Sequence, residues 1–179
     1  MRIINKEKEY HSREEYRLKN YDYSNPGSYF FTVCTKERKN YFWKRVGASI
    51  GRPSDIVLSD YGMHVDEAIK NIPKIYSSVT VVCYVIMPDH IHILLTIHSD
   101  SNGRPMDAPT TERIFKQFKG YITKRVGFSI WQKLYYDHVI RNQQDYFEHV
   151  LYIQDNPRRW IEKMSQKEEQ NEREVDKSI

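Results

Sequence analysis

Apolar and polar positions along the chain fall into stretches of distinct period. Residues 29–35, Tyr-Phe-Phe-Thr-Val-Cys-Thr, are dense in aromatic and β-branched side chains and predict a strand, with Pro26-Gly27 as the turn before it. From Tyr61 to Tyr76, Val65, Ile69, Ile72 and Ile75 recur near helical spacing and predict an amphipathic helix, with Pro73 as a candidate end. Ser77–Met87 is β-branched throughout and predicts a buried strand; Pro88-Asp89 interrupts it, and His90–Ile97 resumes as another. Thr110 or Thr111 can cap a helix running to about Val126. Residues 128–140 are mixed in character. Asn142–Asn156 places Tyr146, His149, Val150 and Ile153 in helical register, and Pro157 is expected to stop that helix. The order strand, helix, strand, strand, helix, helix predicts an α+β fold, an α/β sandwich with helices on one face of a mostly antiparallel sheet.

The stretches between these elements set the domain organisation. Residues 1–25 alternate acids and bases with scattered tyrosines and read as an N-terminal arm. Residues 26–160 form the domain. Residues 161–179 carry six acids and four bases and few large apolar side chains, which predicts a charged, flexible C-terminal tail. Residues 46–60 and 99–109 hold the glycines and prolines of loops, and no internal repeat is visible. At 179 residues the chain is long enough for one proper core, and an aromatic content of 13% excludes disorder of the whole chain. Cys34 and Cys83 sit inside apolar runs and read as buried, reduced thiols. The first residues lack the apolar core of a signal peptide, and the apolar runs near 79–88 and 91–97 are too short to span a bilayer. A soluble, cytoplasmic protein is the expectation.

Three constellations carry candidate chemistry. The first is Met87-Pro88-Asp89-His90-Ile91-His92. Side chains alternate along a strand, so His90 and His92 project together while Ile91 and Ile93 enter the opposite, apolar face. Two adjacent imidazoles are half of a divalent-metal site. The second is Tyr152 and Asn156, four apart and so on one helix face, with His149 near it. The third is the segment from Arg113 to Arg141, with seven Lys or Arg against one acid, Asp137, and interleaved aromatics. Phosphates need cations and unstacked bases need flat faces, so such a stretch suits single-stranded nucleic acid; it equally suits an ordinary amphipathic helix whose aromatics face the core. The net charge of +4 permits a polyanionic partner without requiring one.

Taken together these residues resemble a known family. The Met-Pro-Asp-His-Ile-His string is similar to the His-hydrophobic-His (HUH) motif of single-strand nucleases. Ile130-Trp131-Gln132, Tyr136-Asp137-His138-Val139-Ile140-Arg141 and Tyr152-Ile153-x-x-Asn156-Pro157 look like the REP-associated tyrosine transposases within the insertion-sequence transposase family. The resemblance runs from about Tyr29 to Trp160. It implies a single domain with a central, largely antiparallel sheet flanked by helices, the ferredoxin-like HUH nuclease fold. It makes Tyr152 the nucleophile and His90 and His92 metal ligands. Asn156 stands where many insertion-sequence relatives have Gln as third ligand, and both supply an amide oxygen. The implied cofactor is Mg2+ or Mn2+, with imidazole ligation favouring manganese. The implied partner is single-stranded DNA folded as a hairpin or palindromic repeat; from the basic segment, Lys116, Lys119, Lys124, Arg125 and Arg141 are expected to border a groove leading to Tyr152. The resemblance leaves room for a homodimer. The implied activity is transposase-type nicking and joining through a 5′-phosphotyrosine link. Two alternatives remain open: a non-catalytic hairpin-binding protein, and a rolling-circle initiator or relaxase-like nickase, which shares the His pair and the Tyr.

Overall fold

The structure is a computed structural model that describes residues 21–23, 25–44, 56–99 and 110–176. Most of the expected N-terminal arm, most of both expected loops and the last three residues lie outside the described residues.

The strands are β1 (Gly27–Cys34), β2 (Val79–Ile86), β3 (His90–Ile97) and β4 (Tyr136–Val139). The helices are α1 (Asp60–Ile75), α2 (Thr111–Val126) and α3 (Gln143–Asp176), with a short 3-10 turn at Lys36–Arg38. The strands pair in the order β2-β3-β1-β4, each neighbour antiparallel. With α1 crossing from β1 to β2 and α2 crossing from β3 to β4, this is a split βαβ, ferredoxin-like sheet followed by a C-terminal helix. The short strand β4 lies in the stretch that sequence pattern left mixed. Its side chains read exposed, buried, intermediate, buried, a period of two too short to register over four residues.

The pleat separates two cores. Tyr29, Phe31, Val33, Ile91, Ile93, Leu95 and Val139 join residues of α1 and α2 in the larger one. Phe30 and Leu94 point the other way and pack with Ile153 of α3 in the smaller. Helices therefore cover both faces of the sheet, where the sequence pattern suggested one. Two apolar faces on the central strands require this: seven of the eight β3 residues, all but Thr96, are apolar or histidine and buried.

The helix starts follow their caps. Ser59 accepts from the backbone N–H of Gly62 and opens α1, and Thr110 accepts from Arg113 N and opens α2. Gly62 is dictated by packing, because a Cβ there would stand 2.2 Å from the backbone oxygen of Phe42. Two expected helix ends are corrected. Pro73 lies inside α1, which closes at Ile75. Pro157 lies inside α3, which continues to Asp176 and takes in most of the expected flexible tail. Tertiary packing supplies the reason. Trp160 meets Trp43 edge to face at 5.1 Å, and Ile161 is buried in the larger core. Arg158 adds an ion pair to Asp155 across the proline and another to Glu162 just after it. At the other end, Tyr23 is buried against the same core, so the domain takes in residues that the expected arm would have excluded.

Candidate active site

The register of β1 and β3 sets Cys34 opposite His90, Thr32 opposite His92 and Phe30 opposite Leu94. All six positions belong to the face covered by α3. His90 and His92 are buried, at 8% and 3% exposure, and their Nε2 atoms face each other at 3.1 Å. Their other ring nitrogens are already engaged. His90 Nδ1 lies 2.6 Å from Asp89 Oδ1, and His92 Nδ1 lies 2.8 Å from Thr32 Oγ1. A carboxylate cannot donate, so His90 donates Nδ1–H to Asp89, and its Nε2 is the nitrogen that faces His92.

Asp89 is itself held by Arg38, whose Nε stands 2.8 Å from Oδ2. Burial pushes the Asp89 carboxyl up, but the His90 hydrogen bond and the Arg38 charge outweigh it and hold it below its ordinary range. Arg38 reaches this point from a backbone in the left-handed region, φ 55°, next to Glu37 at φ 58°. Two consecutive non-glycine residues there store strain, a feature that clusters at functional sites. Its Nη1 also donates to Cys34 Sγ at 2.7 Å. Burial, with His90 and Arg38 as neighbouring positive groups, drives His92 down to about 3. The ring is therefore neutral at physiological pH. Two imidazoles with converging Nε2 atoms fit a divalent cation, since both nitrogens face one point between them.

Tyr152 rises beside this pair from α3. Its ring meets that of His92 edge to face at 5.0 Å and that of Phe30 at 6.0 Å. Phe30 in turn stacks on His92 at 5.3 Å. Tyr152 is 42% exposed and lines an open hollow with Glu148, Leu151, Gln154, Asp155 and Arg159. The site thus has a buried nitrogen pair and a reachable hydroxyl. Asn156 follows one turn beyond Tyr152 on the same helix face, half-buried.

The basic residues are divided. Lys116, Lys119, Lys124 and Arg125 belong to α2, which packs on the sheet face opposite α3. Arg141 lies at the entry to α3, where its backbone N–H donates to Asp145. Four of the five cations therefore stand on a helix across the sheet from Tyr152, and Arg141 stands at the start of the helix that carries it. Lys119 Nζ instead donates to the backbone oxygens of Gln132 and Lys133, and Arg125 pairs with Glu67 at 3.7 Å. The aromatics interleaved with them, Phe115, Phe118 and Trp131, are core. Helical periodicity accounts for the interleaving: the cations are the outer face of an amphipathic helix and the aromatics its inner face.

Sequence reasoning missed Thr32, Arg38 and Asp89 as supports of the pair. Asp89 sat within the motif, and its place next to His90 was the available signal. Thr32 and Arg38 had none, because strand register and the turn after β1 bring them in. The cysteines are free and half-buried, and burial pushes both thiols up.

No family model matches the chain. A Haemophilus influenzae protein described as uncharacterized is 30% identical over 169 residues, covering 84% of this chain and 91% of that one. An Escherichia coli REP-associated tyrosine transposase is 27% identical over 146 residues, covering 80% of this chain and 74% of its own. Among solved structures, a REP-associated tyrosine transposase bound to a REP hairpin has 23% identity and a TM-score of 0.54, over 82% of this chain and 76% of that chain. The fold is that of the HUH transposases. The chain thus has homologues named REP-associated tyrosine transposase, at 26–27% identity, and shares the fold of the solved one.

Proposed function

We propose that the protein is a metal-dependent, single-strand DNA endonuclease and strand transferase that acts on hairpin DNA through Tyr152. The observation that carries this reading is the convergence of His90 and His92 Nε2, 3.1 Å apart, beside the partly exposed ring of Tyr152. His90 and His92 would hold the divalent cation, Mg2+ or Mn2+, with Asn156 as the proposed third donor. When bound, the cation supplies positive charge that polarises a scissile phosphate and stabilises its developing oxygens.

The chain's own groups supply the rest. Asp89 and Thr32 hold the two imidazoles in place, and burial keeps His92 neutral. Phe30, packed on both His92 and Tyr152, fixes the distance between them. Tyr152 Oη attacks phosphorus, the Oη–P bond forms and the P–O3′ bond breaks. The tyrosine proton leaves to solvent on the open side, and the 3′ oxygen departs as a hydroxyl after taking up a proton. The product is a 5′-phosphotyrosine ester and a free 3′-hydroxyl. The ester preserves the phosphodiester's energy, so the reverse attack by a 3′-hydroxyl rejoins DNA without ATP.

The hairpin substrate is supported by the relative solved with a REP hairpin and by the cations of the chain. Arg141 is the proposed phosphate contact nearest α3. Lys116, Lys119, Lys124 and Arg125 would serve DNA passing the other face. Work in the bacterial cytoplasm or nucleoid follows from such a substrate; among the described residues no helix is long and apolar enough to cross a membrane. Incubation with end-labelled hairpin DNA and Mn2+ should give cleavage that EDTA abolishes. Hairpin binding without cleavage under any divalent metal would favour the binding-only reading instead.

A further inference from the structure

A second group of ligating side chains lies on the same face of the sheet, and it is separate from the His90–His92 pair. His138 stands on β4 opposite Phe30. Asp145 and His149 occupy the first turns of α3, four residues apart, the spacing at which a helix presents two ligands to one metal. One ligand atom from each of the three lies within 4.8 Å of the others. His138 Nε2 is 3.0 and 2.9 Å from the two Asp145 carboxylate oxygens, and His149 Nδ1 is 2.8 Å from the Asp145 backbone oxygen and 3.1 Å from Oδ1. The two imidazoles stack at 4.7 Å with planes 15° apart, so both rings turn an edge to the same carboxylate. On its other side His149 packs on Phe30 at 4.6 Å.

We propose that His138, Asp145 and His149 form a second divalent-metal site, of the zinc class, that clamps β4 to the start of the helix carrying Tyr152. Two imidazoles and one carboxylate are a donor set that zinc accepts with a fourth position left for water. Ligand atoms around a tetrahedral zinc stand about 3.3 Å apart, since each bond is about 2.0–2.1 Å. The two His–Asp spacings need to open by only a few tenths of an ångström, and the two imidazole nitrogens lie within 4.8 Å of each other. The side chains of His138, His149 and Asp145 are 27%, 21% and 17% exposed, so an ion and its water can enter. The backbone N–H of Arg141 donates to Asp145 Oδ2 at 2.9 Å and fixes the carboxylate, the outer-shell support that metal carboxylates use. On binding, each imidazole offers the lone pair of the nitrogen that faces Asp145 and carries its single ring proton on the other nitrogen.

The clamp does not depend on Tyr152 being a nucleophile, and its test separates the two readings. The full chain is dialysed against buffered Co2+ or Zn2+ and the bound metal counted, with the cobalt visible spectrum as readout of coordination. Two equivalents are expected in the unsubstituted chain. The pair His138→Asn and His149→Gln should lose one, and the pair His90→Gln and His92→Gln should lose the other. Full retention in the first double variant overturns the proposal and leaves a hydrogen-bonded cluster. Loss in the first with no loss in the second upholds it while removing the His90–His92 reading. Where a double variant fails to fold, the unsubstituted chain is treated with diethyl pyrocarbonate and mapped by mass spectrometry. Zinc should protect His138 and His149, and equal modification with and without zinc overturns the site.

Discussion

The rings of His92 and Tyr152 meet edge to face with their centroids 5.0 Å apart, one from the central strand β3 and one from α3. The contact joins the buried imidazole pair to the partly exposed side chain of Tyr152. It exists only because α3 packs on the face of the sheet that His90, His92 and Phe30 occupy. Whatever shifts α3 should therefore shift chemistry before it shifts the core on the other face.

Asp89 should act through His90. Asp89→Asn keeps the shape but removes the charge that holds both His90 Nδ1–H and Arg38. Loss of such a support weakens metal binding by roughly 10–100-fold. Titration of Mn2+ into the full chain should show that drop with an unchanged circular dichroism spectrum. An unchanged affinity would mean that Asp89 serves only the turn.

Much of this arrangement was legible in the sequence. A strand shows which side chains share a face, so the projection of His90 with His92 could be read directly, and helical spacing put Tyr152 and Asn156 together. What escaped depends on pairing between distant segments. Thr32 meets His92 through strand register, and Arg38 meets Asp89 through a strained turn, neither of which leaves a local pattern. Pro157 misled for a related reason. Its local cost to a helix is outweighed by Trp160 on Trp43 and by the burial of Ile161, contacts that only the folded chain reveals.

Stability of the metal-free chain should fall with acid in a defined window. The His92 value of about 3 lies below its ordinary 6.5, so the unfolded chain takes up the proton first. The contribution of the neutral buried ring is full above pH 6.5 and is lost as the pH falls toward 3. Asp89 and Asp145 are also held low, but they act only below their ordinary 3.8. Urea midpoints measured in EDTA from about pH 7 to about pH 4, above the carboxylate range, should decline. His92→Gln should decline less steeply, and an identical slope contradicts the burial argument.

Gly62→Ala should destabilise the fold without touching the site. The new methyl would stand 2.2 Å from the backbone oxygen of Phe42, which also accepts from Ser59 N. Overpacking of this kind costs about 1–3 kcal/mol. A lowered urea midpoint with Mn2+ affinity retained is the expected result. A midpoint equal to the parent's would show that the segment around Phe42 yields freely.

Arg141 should contribute to DNA binding as a phosphate contact. Arg141→Gln should flatten the log–log salt dependence of hairpin affinity by about 0.7–0.9, one phosphate's worth of released counterion. No change in slope would place the strand's path away from the entry to α3.

The central claim is that Tyr152 Oη becomes bonded to the DNA 5′ phosphate. Tyr152→Phe removes one oxygen from a partly exposed ring whose contacts to His92 and Phe30 are made by the ring itself, so folding and hairpin binding should persist. The decisive measurement is denaturing electrophoresis of the protein after incubation with hairpin DNA and Mn2+, followed by mass-spectrometric mapping of the linked peptide. The unsubstituted chain should carry the nucleotide on Tyr152, and Tyr152→Phe should form no adduct at any metal concentration. An adduct formed by Tyr152→Phe at the parent rate, or mapped to Tyr146, Tyr136, Tyr135 or Tyr121, would contradict the assignment.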